Sequence, residues 1–143
     1  MILVQKILFL KNVPLFSSMP PGELSHLAKV AEEIVFHAGE TIITQGEHGE
    51  SLYVIIEGRV SVDQNGTNVA GLGESDYFGE MSILDGEPRS ASVKATTDCL
   101  VLCINQDDFY AILARHHEVS LNVIRTLTVR LRQTAVPAST TQD

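Results

Sequence analysis

A chain of 143 residues, 44% of them hydrophobic, suffices for one domain with a real core. A formal net charge of -8, from 10 Lys+Arg against 18 Asp+Glu, opposes binding to a polyanion such as DNA, which needs a basic face. The same balance leaves room for one small anion held by a local cluster.

The opening stretch from Met1 to Leu10 is apolar, yet shorter than the ~20 residues a membrane-spanning helix needs. It lacks the leading charge and trailing small residues of a signal peptide. Leu3, Ile7 and Leu10 recur at helical spacing, which predicts an amphipathic helix packed on the domain or on a neighbour. The connector Val13-Pro14-Leu15-Phe16 leads to a second helix, entered through Pro20-Pro21-Gly22-Glu23, with Leu24, Leu27 and Ala31 on one face. Residues 1–31 are thus read as N-terminal helices, with no membrane insertion expected.

From 32 to 105 the period drops to two. Ile34 and Phe36, Leu52, Val54 and Ile56, Val60 and Val62, and Leu100, Leu102 and Ile104 alternate with their neighbours. Turn signals fall at Ala38-Gly39, Gly46, Glu57-Gly58, Asn65-Gly66, Gly71-Leu72-Gly73 and Asp85-Gly86. Many short strands between such turns predict a sandwich or barrel, jelly rolls included.

Helical spacing returns over 106–135, first with Phe109, Ile112 and Leu113, then with Val119, Val123, Leu127 and Leu131. The last stretch, 136–143, has no core-forming pattern and is expected to be a disordered tail. Cys99 and Cys103 share one strand face at a spacing too long for a disulfide, so both are read as structural thiols in a reducing cytoplasm. His26, His37, His48, His116 and His117 have no metal-site spacing, and His116-His117 is placed at a helix junction. No metal site or catalytic constellation is expected.

The run Phe78-Gly79-Glu80-Met81-Ser82-Ile83-Leu84-Asp85-Gly86-Glu87-Pro88-Arg89-Ser90-Ala91-Ser92 carries the chemistry. Gly79 permits a sharp turn and close backbone approach. Glu80 to Leu84 favours helix but is cut off by Asp85-Gly86, leaving a short turn whose first N–H groups point outward. Between Glu32 and Glu87 the only Lys or Arg is Arg59, so Arg89 stands as a lone guanidinium after many acids. A phosphate suits its forked donors, with Ser90 and Ala91 completing the cradle and Glu80 accepting from sugar hydroxyls. One Arg with neutral donors matches a singly charged phosphodiester better than a monoester of about −1.5 to −2. The alternative is that Arg89 and Glu80 merely pair on a sheet surface, an arrangement worth little.

This run closely resembles the phosphate-binding cassette of the cyclic-nucleotide-binding domain family, found in bacterial catabolite activators, kinase regulatory subunits and nucleotide-gated channels. The stretch Ala38-Gly39-Glu40 through Gln45-Gly46-Glu47 to Leu52-Tyr53-Val54-Ile55-Ile56-Glu57-Gly58-Arg59-Val60 is similar to the family's early strands. The resemblance covers most of the chain, from Leu8 to Gln133. It implies a mainly β fold, an eight-stranded double-sheet jelly-roll β-barrel flanked by N- and C-terminal helices. It also implies a ligand-binding set of Phe78, Gly79, Glu80, Met81, Ser82, Arg89, Ser90 and Ala91. In that set Glu80 takes the ribose hydroxyl and Arg89 the cyclic phosphate, and Ser90 leans towards cyclic AMP over cyclic GMP. Leu127, Arg130 and Leu131 are candidates to cover the base. The expected partner is the nucleotide, with no cofactor, no nucleic acid and no catalysis. Beyond that, a homodimer or an effector domain in a larger protein is expected, with signalling through residues 106–133. A jelly-roll interaction module that no longer binds nucleotide is the competing expectation.

Overall fold

The structure is a computed structural model that describes the backbone of residues 1–141 and the side chains of residues 1–133. Two antiparallel helices come first, α1 (Leu3–Asn12) and α2 (Pro21–Val30). Pro21 opens α2, where its missing N–H and fixed φ do no harm, and Leu24, Leu27 and Ala28 face inward. In α1 the predicted stripe narrows. Leu10 is fully buried and Ile7 packs on the core, whereas Leu3 is exposed.

Eight strands follow, interrupted by one short helix: β1 (Glu32–Phe36), β2 (Thr41–Ile43), β3 (Ser51–Glu57), β4 (Val60–Gln64), β5 (Thr67–Leu72), β6 (Tyr77–Phe78), α3 (Glu80–Asp85), β7 (Ser92–Ala95) and β8 (Cys99–Asn105). They form two antiparallel four-stranded sheets, β1-β8-β3-β6 and β2-β7-β4-β5. The strand number and double-sheet arrangement agree with expectation, but the barrel does not close. Each sheet keeps its own edges, and the two are joined by packing rather than by a hydrogen-bonded ladder.

Burial explains why β3 and β8 read as nearly continuous apolar runs. Leu52, Val54 and Ile56 of β3, with Leu102 and Ile104 of β8, pack against the helices. The intervening Ile55, Cys99 and Val101 pack instead between the sheets with Val60, Phe78 and Val93. One sheet is therefore covered on both faces. Cys99 and Cys103 both remain free thiols, Cys99 buried and Cys103 half-buried. Of the expected turns, Gly71-Leu72-Gly73 is not one, since Gly71 and Leu72 extend β5. The chain bends after them, where Ser75 takes φ 70° and the Asp76 carboxylate accepts from the Gly73 N–H.

The C-terminal pair is α4 (Gln106–Arg115) and α5 (His117–Thr141). Asn105 caps α4 by accepting from the Asp108 N–H at 2.9 Å, and His116 forms the junction, as its position implied. Val119 and Val123 are buried and Leu127 packs on the core, but Leu131 is 70% exposed. The inward stripe therefore stops at Leu127. The backbone of α5 stays helical to Thr141, across most of the segment expected as a tail over 136–143. Gln142 and Asp143 lie outside the described residues.

Candidate functional site

The cassette folds around Gly79. β6 ends on Phe78, whose ring is buried between the sheets and stacks on Tyr53 with centroids 5.3 Å apart. Phe78 is thus an anchor, which fixes the chain just before it turns. Gly79 takes φ 94°, a left-handed conformation that side chains rarely adopt. A Cβ there would also lie 2.8 Å from the Ser51 carbonyl oxygen and 2.9 Å from Arg89 Nη1. The turn launches α3, a helix of six residues, with Glu80 and Ser82 buried and Met81 exposed on the outer side.

Arg89 is only 6% exposed. Its Nη1 donates to the Gly79 carbonyl at 2.7 Å and its Nη2 to the Ser51 carbonyl at 3.0 Å. Its main chain is held as well: the Arg89 N–H donates to Glu47 O at 2.8 Å, and its carbonyl accepts from the Gly46 N–H at 2.9 Å. Gly49 lies flat against the guanidinium, since a Cβ there would meet Nε at 1.9 Å. The loop from Gly46 to Ser51 is therefore the mould of this arginine. Burial pulls the guanidinium below its ordinary pKa, with the nearby Glu80 acting in the opposite direction.

Glu80 is 1% exposed and does not pair with Arg89. Its Oε1 accepts instead from Arg130 Nη1 of α5. Arg130 Nη2 also donates to the Tyr77 carbonyl at 2.9 Å, and its guanidinium sits 5.4 Å from the Tyr77 ring centroid. Burial raises the Glu80 carboxyl above the ordinary carboxylate range, and Arg130 opposes that shift without cancelling it. The surface-pair alternative for Glu80 and Arg89 thus fails: both are buried, and each has different partners.

The remaining predicted residues, Ser90 and Ala91, follow Arg89 in the chain. Ser90 is exposed, with its hydroxyl 3.9 Å from the Met81 sulfur, and Ala91 is half-buried. Gln64 of β4 donates to the Ser90 carbonyl at 3.2 Å, and Ser92 Oγ accepts from the Gln45 N–H at 2.9 Å. A polar cavity of about 240 Å³ opens beside Arg89, lined by the end of β2, by the segment from Glu47 to Ser51 and by Tyr53. Glu80 and Ser90 do not line it. Of the base-cover candidates, Leu127 packs on the core, Leu131 faces away into solvent, and Arg130 reaches the cassette.

Sequence reading missed Gly49, Ser51 and the partnership of Arg130. Ser51 acts through a backbone carbonyl, which leaves no mark on residue type. Gly49 left a trace as the second glycine of Gly46-Glu47-His48-Gly49. Arg130 left one too: it follows Val119, Val123 and Leu127 at helical spacing, so a charge sits on an otherwise inward stripe. Among the described residues, no cluster of three or more His, Cys, Asp or Glu could hold a metal ion. No helix among them is long and apolar enough to cross a membrane.

Known proteins are similar to this chain in sequence and fold. A family profile described as "Cyclic nucleotide-binding domain" matches residues 33–116. The chain is 38% identical over 107 residues to a cAMP-dependent protein kinase regulatory subunit of Aspergillus niger, covering 73% of this chain and 26% of that protein. It is 31% identical over 130 residues to a CRP-like cAMP-activated global transcriptional regulator of Mycobacterium tuberculosis, covering 87% of this chain and 58% of that one. Among solved structures, the regulatory subunit of a cAMP-independent protein kinase A from Trypanosoma brucei superposes with a TM-score of 0.80 at 31% identity. That match covers 87% of this chain and 45% of the trypanosomal chain. The chain thus spans about a quarter of the fungal relative and somewhat over half of the mycobacterial one.

Proposed function

The chain belongs to the cyclic nucleotide-binding domain family, and on that footing we propose that it is a non-catalytic sensor that takes cyclic AMP in preference to cyclic GMP and answers through its C-terminal helices. The observation that carries the reading is the state of Arg89. A guanidinium 6% exposed, aimed by two carbonyls, forms no ion pair among the described residues. A buried cation of this kind calls for an anion, and its fork has donors beyond the two those carbonyls use. A cyclic phosphodiester brings one negative charge and suits it. Gly79, the amides of Met81 and Ser82, and Ser90 with Ala91 would complete the cradle, with no cofactor required. Glu80 would accept from the ribose hydroxyl. Ser90 supports cyclic AMP as the preferred ligand.

Arg130 supports the output. It ties α5 to Glu80, the residue assigned to the ribose, so ligand and helix compete for or share one carboxylate. Any change in that contact shifts the equilibrium position of α5. The proteins named as cAMP-dependent kinase subunits and cAMP-activated regulators support regulation as the role of the whole protein.

A second reading, an interaction module without nucleotide, is favoured by one observation: Glu80 is satisfied by Arg130, and both terminal nitrogens of Arg89 already donate to carbonyls. Calorimetric titration with cyclic AMP and cyclic GMP decides between the two. Micromolar binding with cyclic AMP the tighter supports the sensor. Absence of heat with both nucleotides would leave the interaction module.

A further inference from the structure

α3 is the least self-sufficient element of the cassette. Six residues complete too few hydrogen bonds to repay helix nucleation, so the segment depends on outside contacts. Its last carbonyls have no continuing helix to bond them. The Gly86 N–H donates to Ser82 O at 3.0 Å, and the next carbonyl, Ile83 O, accepts from the phenol of Tyr110 on α4. The Ile83 side chain is fully buried, in the same cluster as Phe109 and Ile112.

α4 in turn is fixed to the strand that aims Arg89. The Gln106 N–H donates to Glu50 O at 2.8 Å, and Ser51 pairs with Asn105, which caps α4. Ser51 also receives Arg89 Nη2. The start of α3 is located by Gly79 against Arg89, and its end by Tyr110 against α4. Both contacts refer to the Ser51–Asn105 pair.

We propose that Tyr110 is a positioning residue, which holds α3 in register with Arg89 by satisfying the Ile83 carbonyl and makes α4 respond when α3 moves. The consequence for nucleotide rests on the sensor reading above; the hold on α3 does not. Tyr110→Phe keeps the ring and removes only the donor, so the domain should still fold.

Amide hydrogen exchange on the full chain without nucleotide tests the hold. In Tyr110→Phe the amides from Ile83 to Gly86 should exchange about fivefold faster, the effect of one lost hydrogen bond, while β3 and β8 keep their protection. Unchanged α3 exchange, or equal acceleration across the whole domain, would overturn the positioning role. Titration with cyclic AMP tests the consequence. The Phe variant should bind several-fold more weakly, and the exchange response of α4 to cyclic AMP should shrink while that of α3 persists. An undiminished α4 response would overturn the link between the two helices. If the unaltered protein binds neither cyclic nucleotide, the sensor reading falls, and the ligand-free exchange still decides whether Tyr110 holds α3.

Discussion

The cassette and the outward face of α5 over residues 124–131 differ from each other in what they bury and expose. The cassette buries charge, with Glu80 and Arg89 nearly inaccessible, whereas α5 exposes Ile124, Val129 and Leu131. Ionised side chains are rarely buried unless paired, and single exposed apolar residues are common. The cassette departure is supported from several elements at once: β3 supplies Ser51, α5 supplies Arg130, and the loop before β3 supplies Gly49 and Glu47. The contrast teaches where single changes should matter. A charge fixed by many partners cannot be altered locally, while an exposed leucine on a helix can.

The largest expected effect is on Arg89. Arg89→Ala should weaken cyclic nucleotide binding by about 2–5 kcal/mol, the range for truncating one partner of a buried, hydrogen-bonded charge pair. Parallel calorimetric titrations read this directly. Equal affinity of the variant would break the contrast at its strongest point, because the buried cation would then have no ligand duty.

Gly49→Ala comes next. The new Cβ would lie 1.9 Å from Arg89 Nε, so the guanidinium must leave its mould. Overpacking of this kind should lower unfolding stability by about 1–3 kcal/mol and weaken nucleotide binding with it. Gly22→Ala is the control. Nothing lies within 4 Å of its Cβ, and alanine in a helix should be neutral or stabilising by up to about 1 kcal/mol. Urea midpoints of the two variants should therefore move in different directions or by clearly different amounts.

Arg130→Ala sharpens the comparison inside α5, by separating its inward charge from its outward apolar residues. Glu80 would lose its partner while staying buried, so its folded pKa should rise further above the ordinary value. A carboxyl raised in this way keeps its proton to higher pH when folded than when unfolded. The folded state then binds more protons in the window between the two values, and stability falls as pH rises through it. The destabilisation should be about 1 kcal/mol near neutrality, discounted because Arg130 is partly exposed, and should shrink at acid pH where Glu80 is protonated in both states. Urea midpoints across pH, with carboxyl titration by NMR, check both sign and window.

Most of the fold was legible because its periodicities are those of one-sided packing. The helices at both ends, the strand region from 32 to 105 and the short helix stopped by Asp85-Gly86 all follow from spacing and turn chemistry. Closure was not legible, because whether two sheets join depends on hydrogen bonds between strand edges, which side-chain alternation does not encode. In the candidate site, Gly79, Glu80 and Arg89 announced themselves by residue type and order. Their supports did not. Ser51 and Glu47 contribute backbone carbonyls, and Arg130 lies 50 residues along the chain from Glu80, a separation that only the packing of α5 closes. The alternative of a surface pair between Glu80 and Arg89 stayed open in the sequence for the same reason: burial belongs to the tertiary structure.

The smallest expected effect belongs to Leu131. Helical spacing placed it on the inward stripe with Val119, Val123 and Leu127, yet it is 70% exposed while Leu127 still packs on the core. Arg130, one residue earlier, still bonds Glu80 and the Tyr77 carbonyl, so Leu131 lies on the outward face of α5. In an isolated domain Leu131→Ser should change stability by no more than about 0.5 kcal/mol, as for other exposed positions. The measurement has a second reading built into it, which is the dependence of the melting temperature on protein concentration. A monomer gives the same small shift at every concentration. If the unaltered protein instead melts higher when concentrated, and Leu131→Ser abolishes that rise, then the exposed face is covered by a second copy. The outward face of α5 around Leu131 would then resemble the cassette after all, as a surface held by partners, with those partners on another chain.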